Sequence, residues 1–225
     1  MELILSGGGK GEQIKEINSL FFKSVGNGRI IFIPHSREKE EFQSSLNWMI
    51  ENLFSPFNHS NFEMWTTLND KSIKDLNNVR GIVIGGGNTF RLLKELKDSN
   101  FIEILRKFIK EGKVVYGISA GAIILTKSII TARPLDKNKF KLVDLEGMNL
   151  LNERGVFCHY EEKYDKEILK IIEETDMEII GLPEGTGIYL KNSSNKIIGI
   201  NSAYFFSKSG NKKELKIGKI YKYFF

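Results

Sequence analysis

The stretch Lys113-Val-Val-Tyr-Gly-Ile-Ser-Ala-Gly-Ala122 decides the fold, because a short apolar run ends in Gly117-Ile118-Ser119-Ala120-Gly121 and then gives way to a helical pattern at Ala122-Ile-Ile-Leu-Thr126. A serine between two glycines at a strand-to-helix turn sits on a strained backbone. That backbone pushes its hydroxyl out of the sheet and lets another chain pass close by. The pattern therefore predicts a nucleophile elbow at Ser119, with the N-terminal end of the following helix directed at the hydroxyl. An ordinary serine in a glycine-rich turn has the same letters; the strand before and the helix after favour the elbow.

Upstream, a helix over Phe101 to Lys110 feeds the elbow strand, with Asn100 and Glu103 at capping-box spacing and Ile102, Leu105 and Ile109 on its inner face. Before it, the strand Val79 to Ile84 runs straight into Gly85-Gly86-Gly87-Asn88-Thr89-Phe90 and a helix carrying Leu92, Leu93 and Leu96. The chain begins in the same style. A strand at Glu2 to Ser6 meets Gly7-Gly8-Gly9, a helical face follows at Ile14, Ile17, Leu20 and Phe21, and Arg29 to Pro34 reads as a buried strand. Glu38 to Leu53 is helical by its apolar spacing and is ended by Pro56, and Phe62 to Trp65 is a third strand candidate. This alternation predicts an α/β fold with a mostly parallel, doubly wound sheet and ligands at the carboxyl ends of its strands.

Downstream of the elbow, Thr131 to Asn152 reads as a long loop, and so as a candidate for substrate contact. Then come a strand over Gly155 to His159, a helix over Tyr164 to Glu173 with Ile168, Leu169 and Ile172 facing inward, and a strand over Glu178 to Pro183. After the turn Glu184-Gly185-Thr186-Gly187, short strands at Ile188 to Lys191, Lys196 to Ile200, Ala203 to Ser207 and Leu215 to Tyr223 predict a C-terminal β-hairpin extension of the sheet. The expected organisation is a single domain over residues 1–225.

At 225 residues and 41% hydrophobic content, the chain can bury one sizeable core. No apolar run approaches the ~18 residues of a membrane span. The apolar run Leu3-Ile-Leu5 is too short for a signal or transit peptide, so a cytoplasmic protein is expected. A lone cysteine, Cys158, leaves no internal disulfide, and His35, His59 and His159 lack zinc-ligand spacing, so neither a metal nor an organic cofactor is expected. The 33 basic and 28 acidic residues are interspersed. The densest basic run, Lys208 to Lys222, reads as an edge strand protected by lysines rather than a phosphate-binding patch, so no nucleic-acid partner is expected. Gly7-x-Gly9 lacks the last glycine of a dinucleotide fingerprint, where Glu12 stands. Gly85-Gly86-Gly87 lacks the lysine and hydroxyl pair of a phosphate loop. The expected assembly is a monomer or homodimer.

An activated serine needs a base within hydrogen-bond reach and a third group to orient that base. His159 ends a strand downstream of the elbow, where neighbouring strands would bring it to Ser119; His35 ends an early strand and is the weaker candidate. The orienting carboxylate has three candidates: Glu184, at the end of the next strand, and Asp136 and Asp144 in the long loop. Adjacent strand ends favour Glu184. For the oxyanion, the N–H of Ala120 is one donor by the geometry of an elbow, and the Gly85–Gly87 loop is the source of a second.

At these residues the sequence resembles the dipeptidase E and cyanophycinase serine peptidases, whose fold is like that of class I glutamine amidotransferases. The resemblance lies in Ile84-Gly-Gly-Gly-Asn-Thr-Phe90, Gly117-Ile-Ser-Ala-Gly-Ala122, the histidine of Cys158-His159-Tyr160, and Ile180-Gly-Leu-Pro-Glu-Gly185, in the family's order, and covers roughly residues 1–205. It implies a serine peptidase, an exopeptidase or dipeptidase that cleaves short peptides through an acyl-enzyme. Ser119 would be the nucleophile, His159 the base, Glu184 the third member, Gly87 and Ala120 the oxyanion donors, and Asn88 a substrate contact. An amidase or esterase with the same machinery, or a ligand-binding protein that keeps the fold without catalysis, are the rival readings. Dipeptidase E carries an arginine after the histidine that holds the substrate's N-terminal aspartate. Here Tyr160-Glu-Glu-Lys-Tyr164 contains none, so the resemblance does not extend to aspartyl specificity.

Overall fold

The computed structural model describes residues 1–191 and 194–221. The strands β1 (Glu2–Ser6), β2 (Arg29–Ile33), β3 (Phe62–Met64), β4 (Val79–Ile84) and β5 (Val114–Ile118) are parallel, and β8 (Thr186–Lys191) and β9 (Ser194–Gly199) add an antiparallel hairpin on the β1 side. Together they form a seven-stranded sheet in the order β3-β2-β4-β5-β1-β8-β9. Side-chain alternation divides its two faces as the pleat requires. Ile4, Ile30, Phe32, Val83, Tyr116 and Ile118 pack under α1 (Lys15–Val25) and α2 (Phe42–Met49). Leu3, Leu5, Ile31, Ile33, Ile82, Ile84 and Val115 face the other way, toward α3 (Thr89–Asp98), α4 (Phe101–Lys110) and α5 (Ala120–Ile124). Both faces are covered, which is why these strands read as near-continuous apolar runs.

The remaining strands, β6 (Gly155–Cys158), β7 (Ile179–Leu182), β10 (Ala203–Phe206) and β11 (Lys212–Leu215), form a second, four-stranded sheet in the order β11-β10-β7-β6. Val156, Cys158, Ile180 and Leu182 point into the core shared with the large sheet, and Phe157, Ile179 and Phe206 point outward beneath α6 (Asp165–Thr175). The expected C-terminal extension is thus two hairpins, one added to each sheet. The edge strand expected over Leu215 to Tyr223 is replaced by β11 and a turn, with Ile220 bridging to Lys196; residues 222 and 223 lie outside the described ones.

Three local expectations are corrected. On α6 the buried stripe is Ile168, Ile171 and Ile172, while Leu169 is exposed, because only positions three and four apart share a face with Ile168. The Asn100–Glu103 capping box does not form. Ser99 and Asn100 alone join α3 to α4, so Asn100 takes a left-handed conformation from which its side chain makes no cap bond. Lys212, in the lysine-rich edge, lies over the rings of Tyr204, Tyr160 and Phe206 and pairs with Asp165 instead of extending into solvent. Among the described residues, no helix is long and apolar enough to cross a membrane.

Candidate active site

Loops from the carboxyl ends of β1, β2, β4 and β5 meet the ends of β6 and β7 around a cleft of about 1050 Å³. Ser119 stands at its floor with φ 53° and ψ −111°, a conformation costly to any residue with a side chain and maintained only where the surroundings impose it. They do. The Ser119 N–H donates to the Ser6 carbonyl (2.9 Å), and its carbonyl accepts from the N–H groups of Ala122 (2.8 Å) and Ile123 (3.0 Å). Gly121 passes so close to β4 that a Cβ there would lie 2.1 Å from the Ile84 carbonyl oxygen. The helix after the serine starts at Ala120, two residues earlier than expected, and runs only to Ile124. A helix of five residues offers the cleft individual first-turn N–H groups, that of Ala120 first, rather than a macrodipole.

His159 is just past β6, and its Nε2 lies 2.8 Å from Ser119 Oγ. Its Nδ1 lies 3.0 Å from Glu184 Oε1. With Ser119 donating to Nε2 and Nδ1–H donating to the carboxylate, both contacts use one tautomer. The histidine arrives by a route other than the one expected. The strands β5 and β6 belong to different sheets, and the Gly7-Gly8-Gly9 loop after β1 joins them. Gly7 accepts from the His159 N–H (2.9 Å) and donates to Thr186 (2.9 Å), and Gly8 accepts from Gly185 (2.9 Å). Within the smaller sheet, β6 and β7 are parallel neighbours in register at Cys158 and Leu182, which sets His159 and Glu184 side by side. Side-chain exposures of 39% for His159 and 51% for Glu184 leave the pair open to the cleft.

The two loop aspartates are engaged elsewhere. Asp136 Oδ2 accepts from the Thr89 N–H (2.8 Å) and hydroxyl (2.6 Å), holding the loop against the start of α3, and Asp144 pairs with Lys97. His35 is buried against Phe42, its Nδ1 has no hydrogen-bond partner among the described residues, and burial lowers its pKa to about 4. Asn88 lines the cleft, but its Oδ1 caps α3 at Arg91 N (2.9 Å) and its Nδ2 donates to the Lys137 carbonyl (3.0 Å). Cys158, next to His159, points away into the core. Its Sγ has only long contacts to the carbonyls of Ser6 (3.7 Å) and Ser119 (3.6 Å), and burial pushes the thiol pKa far up.

Sequence reasoning missed two parts of this site. One is the Gly7–Gly9 loop, whose glycine run was the available signal. The other is Ser36-Arg37 after β2, which no local pattern marks; Ser36 Oγ donates to the Gly86 carbonyl (2.7 Å), as does Arg37 Nε (3.0 Å).

With this geometry in place, comparison with known families is decisive, because the pattern of peptidase family S51 matches residues 3–198. The chain belongs to peptidase family S51. It is a serine-type peptidase, a hydrolase. This S51 chain is 25% identical over 210 residues to the "Peptidase E" of Nostoc sp., covering 89% of this chain and 84% of that protein. It is 25% identical over 203 residues to the "Probable alpha-aspartyl dipeptidase" of Drosophila melanogaster, covering 86% and 82%. A crystal structure of a peptidase from an acI-B1 Actinobacterium superposes with a TM-score of 0.75 at 17% identity, over 99% of this chain and 96% of that one, which shows the shared fold.

Proposed function

We propose that this S51 peptidase is a dipeptidase-type exopeptidase that cleaves short peptides through an acyl-enzyme carried on Ser119. The observation that supports this most is the continuous pair of contacts Ser119 Oγ to His159 Nε2 (2.8 Å) and His159 Nδ1 to Glu184 (3.0 Å). In this reading Ser119 Oγ attacks the scissile carbonyl carbon while His159 Nε2 takes its proton. The oxyanion accepts from the N–H groups of Gly87 and Ala120, and Glu184 holds the tautomer and stabilises the imidazolium. Collapse of the adduct breaks the C–N bond, the leaving amine takes the proton from His159, and water, activated by the same imidazole, releases the acyl group. Asn88 contributes by fixing the loop it caps.

The reading does not include a preference for N-terminal aspartate. A substrate carboxylate held without a cation costs several kcal/mol. Arg91, Arg133 and Lys163 are paired with Glu38, Glu174 and Glu161, and Lys10, Arg37 and Lys139, which line the cleft, lie in loops other than the one after His159 from which the arginine is absent. The test is labelling by a fluorophosphonate, followed by a dipeptide panel. Phosphonylation at Ser119, lost in Ser119→Ala together with all hydrolysis, is the expected result, with Asp-Xaa dipeptides cleaved less well than neutral ones. An intact protein that is neither labelled nor active would defeat the enzyme reading. A preference of about tenfold or more for Asp-Xaa, some 1.4 kcal/mol, would defeat the specificity.

A further inference from the structure

We propose that Ser36 and Arg37, in the loop after β2, are positioning residues that set the orientation of the Gly86–Gly87 peptide, and so aim the Gly87 N–H at the reacting oxygen. The inference rests on the oxyanion role given to Gly87 above. Ser36 is fully buried, yet its hydroxyl lies within hydrogen-bond distance of two successive carbonyls, Gly86 (2.7 Å) and Gly85 (3.1 Å). Its own carbonyl accepts from the Asn88 N–H (2.8 Å). Arg37 Nε adds a charge-assisted bond to the same Gly86 oxygen (3.0 Å), and its Nη1 is 3.7 Å from Glu41.

These contacts fix the carbonyl of the Gly86–Gly87 peptide and the N–H of the next peptide, Gly87–Asn88. No peptide bond in the described chain is cis, so the Gly86 C=O and the Gly87 N–H point in opposite directions. Two donors drawing the carbonyl toward β2 therefore turn the N–H away from it. Gly86 itself adjoins the nucleophile: a Cβ there would lie 3.2 Å from Ser119 Cβ and 3.8 Å from its Oγ. Gly87 has φ of +150°, and a Cβ there would meet the Ser36 carbonyl oxygen at 2.6 Å, so glycine is needed for Ser36 to approach at all. A glycine triplet free of such contacts could rotate its peptide at little cost, and an oxyanion donor is effective only when it is oriented before the charge develops. The positive charge of Arg37 at the carbonyl also polarises the peptide, which strengthens its N–H as a donor.

The experiment compares wild type with Ser36→Ala, Arg37→Gln and the double variant, using peptide hydrolysis and the rate of fluorophosphonate inactivation. The phosphoryl oxygen must enter the same hole but brings no peptide to be bound. Arg37 is exposed, so its variant keeps the fold and carries the test even where Ser36→Ala lowers stability. Removing an oxyanion donor outright costs about 10² to 10³ in kcat, and loosening one should cost about ten- to a hundredfold. The expected result is that fall in kcat with KM little changed, and a parallel fall in inactivation rate. The double variant should lose less than the product of the single losses, because both groups act on one oxygen. If Arg37→Gln instead raises KM at constant kcat and is phosphonylated at the wild-type rate, Arg37 binds substrate and the inference is overturned. If wild type is never phosphonylated, the oxyanion reading and this inference fall together; if wild type reacts and both single variants match it, this inference alone falls.

Discussion

Gly8→Ala places a methyl group where the structure has the imidazole of His159. A Cβ at Gly8 would lie 2.3 Å from His159 Cε1, 2.9 Å from Nδ1 and 3.1 Å from Nε2. Ordinary contact begins at 3.4 Å, so the ring must move by about 1 Å. Neither of its bonds tolerates that, since at 2.8 Å and 3.0 Å each becomes too long to be a hydrogen bond if the motion is along it. Misplacing a reacting group by about 1 Å costs about 10² in rate, and losing a triad member costs about 10⁴, so kcat should fall between those limits, or by about 3 to 5 kcal/mol in activation free energy. The φ of +109° at Gly8 adds strain on the order of 1–3 kcal/mol, which lowers the melting temperature by several degrees without unfolding the protein. The measurements are steady-state hydrolysis, the phosphonylation rate at Ser119, and a thermal melt on the same sample. A folded Gly8→Ala variant with turnover within about threefold of wild type would refute the argument, because even a third of the smaller penalty exceeds that factor.

Glu184→Gln should lower kcat by about two to four orders of magnitude with KM little changed, whereas Asp136→Asn and Asp144→Asn should each cost less than about tenfold; a dead aspartate variant beside an active Glu184→Gln would move the acid into the long loop. Asp136→Asn should also destabilise by about 1 kcal/mol, as the loss of a carboxylate cap at Thr89, measurable by denaturant titration. Cys158→Ser should keep most activity, since the thiol is buried, protonated and directed at two carbonyls; loss of turnover at normal stability would mean that the nucleophile is misassigned. His35 bears on stability against pH. Burial lowers its folded pKa from 6.5 to about 4, so the unfolded chain binds the extra proton, and the contribution present above pH 6.5 is lost as pH falls toward 4. That amounts to about 3 kcal/mol, and His35→Gln should show a correspondingly flatter loss of stability over this range; an unchanged pH profile would remove His35 as its source.

What the sequence by itself determined is what short-range periodicity encodes. The apolar runs and helical stripes from Glu2 to Ile118 specify a parallel sheet covered on both faces, and the glycines around Ser119 specify a strained turn, because each depends on residues a few positions apart. Ser119, His159 and Glu184 could be named as candidates from the sequence too, with Asp136 and Asp144 as rival acids, since His159 and Glu184 each end an apolar strand. Tertiary structure decided how those ends meet. No periodicity says that β6 and β7 leave the main sheet, or that Gly7–Gly9 joins the two sheets beside His159, because hydrogen bonds such as Gly7 to His159 span 152 residues of chain. Ser36 and Arg37 were invisible for the same reason: their partners lie about 50 residues away in β4's loop, and a buried serine shows its purpose only once the carbonyls it satisfies are in place. Asp136 is a candidate orienting acid in the linear reading, and Asn88 is a substrate contact through the resemblance; the structure shows both lining the cleft and bonding the free N–H groups at the start of α3, Asp136 from 47 residues away.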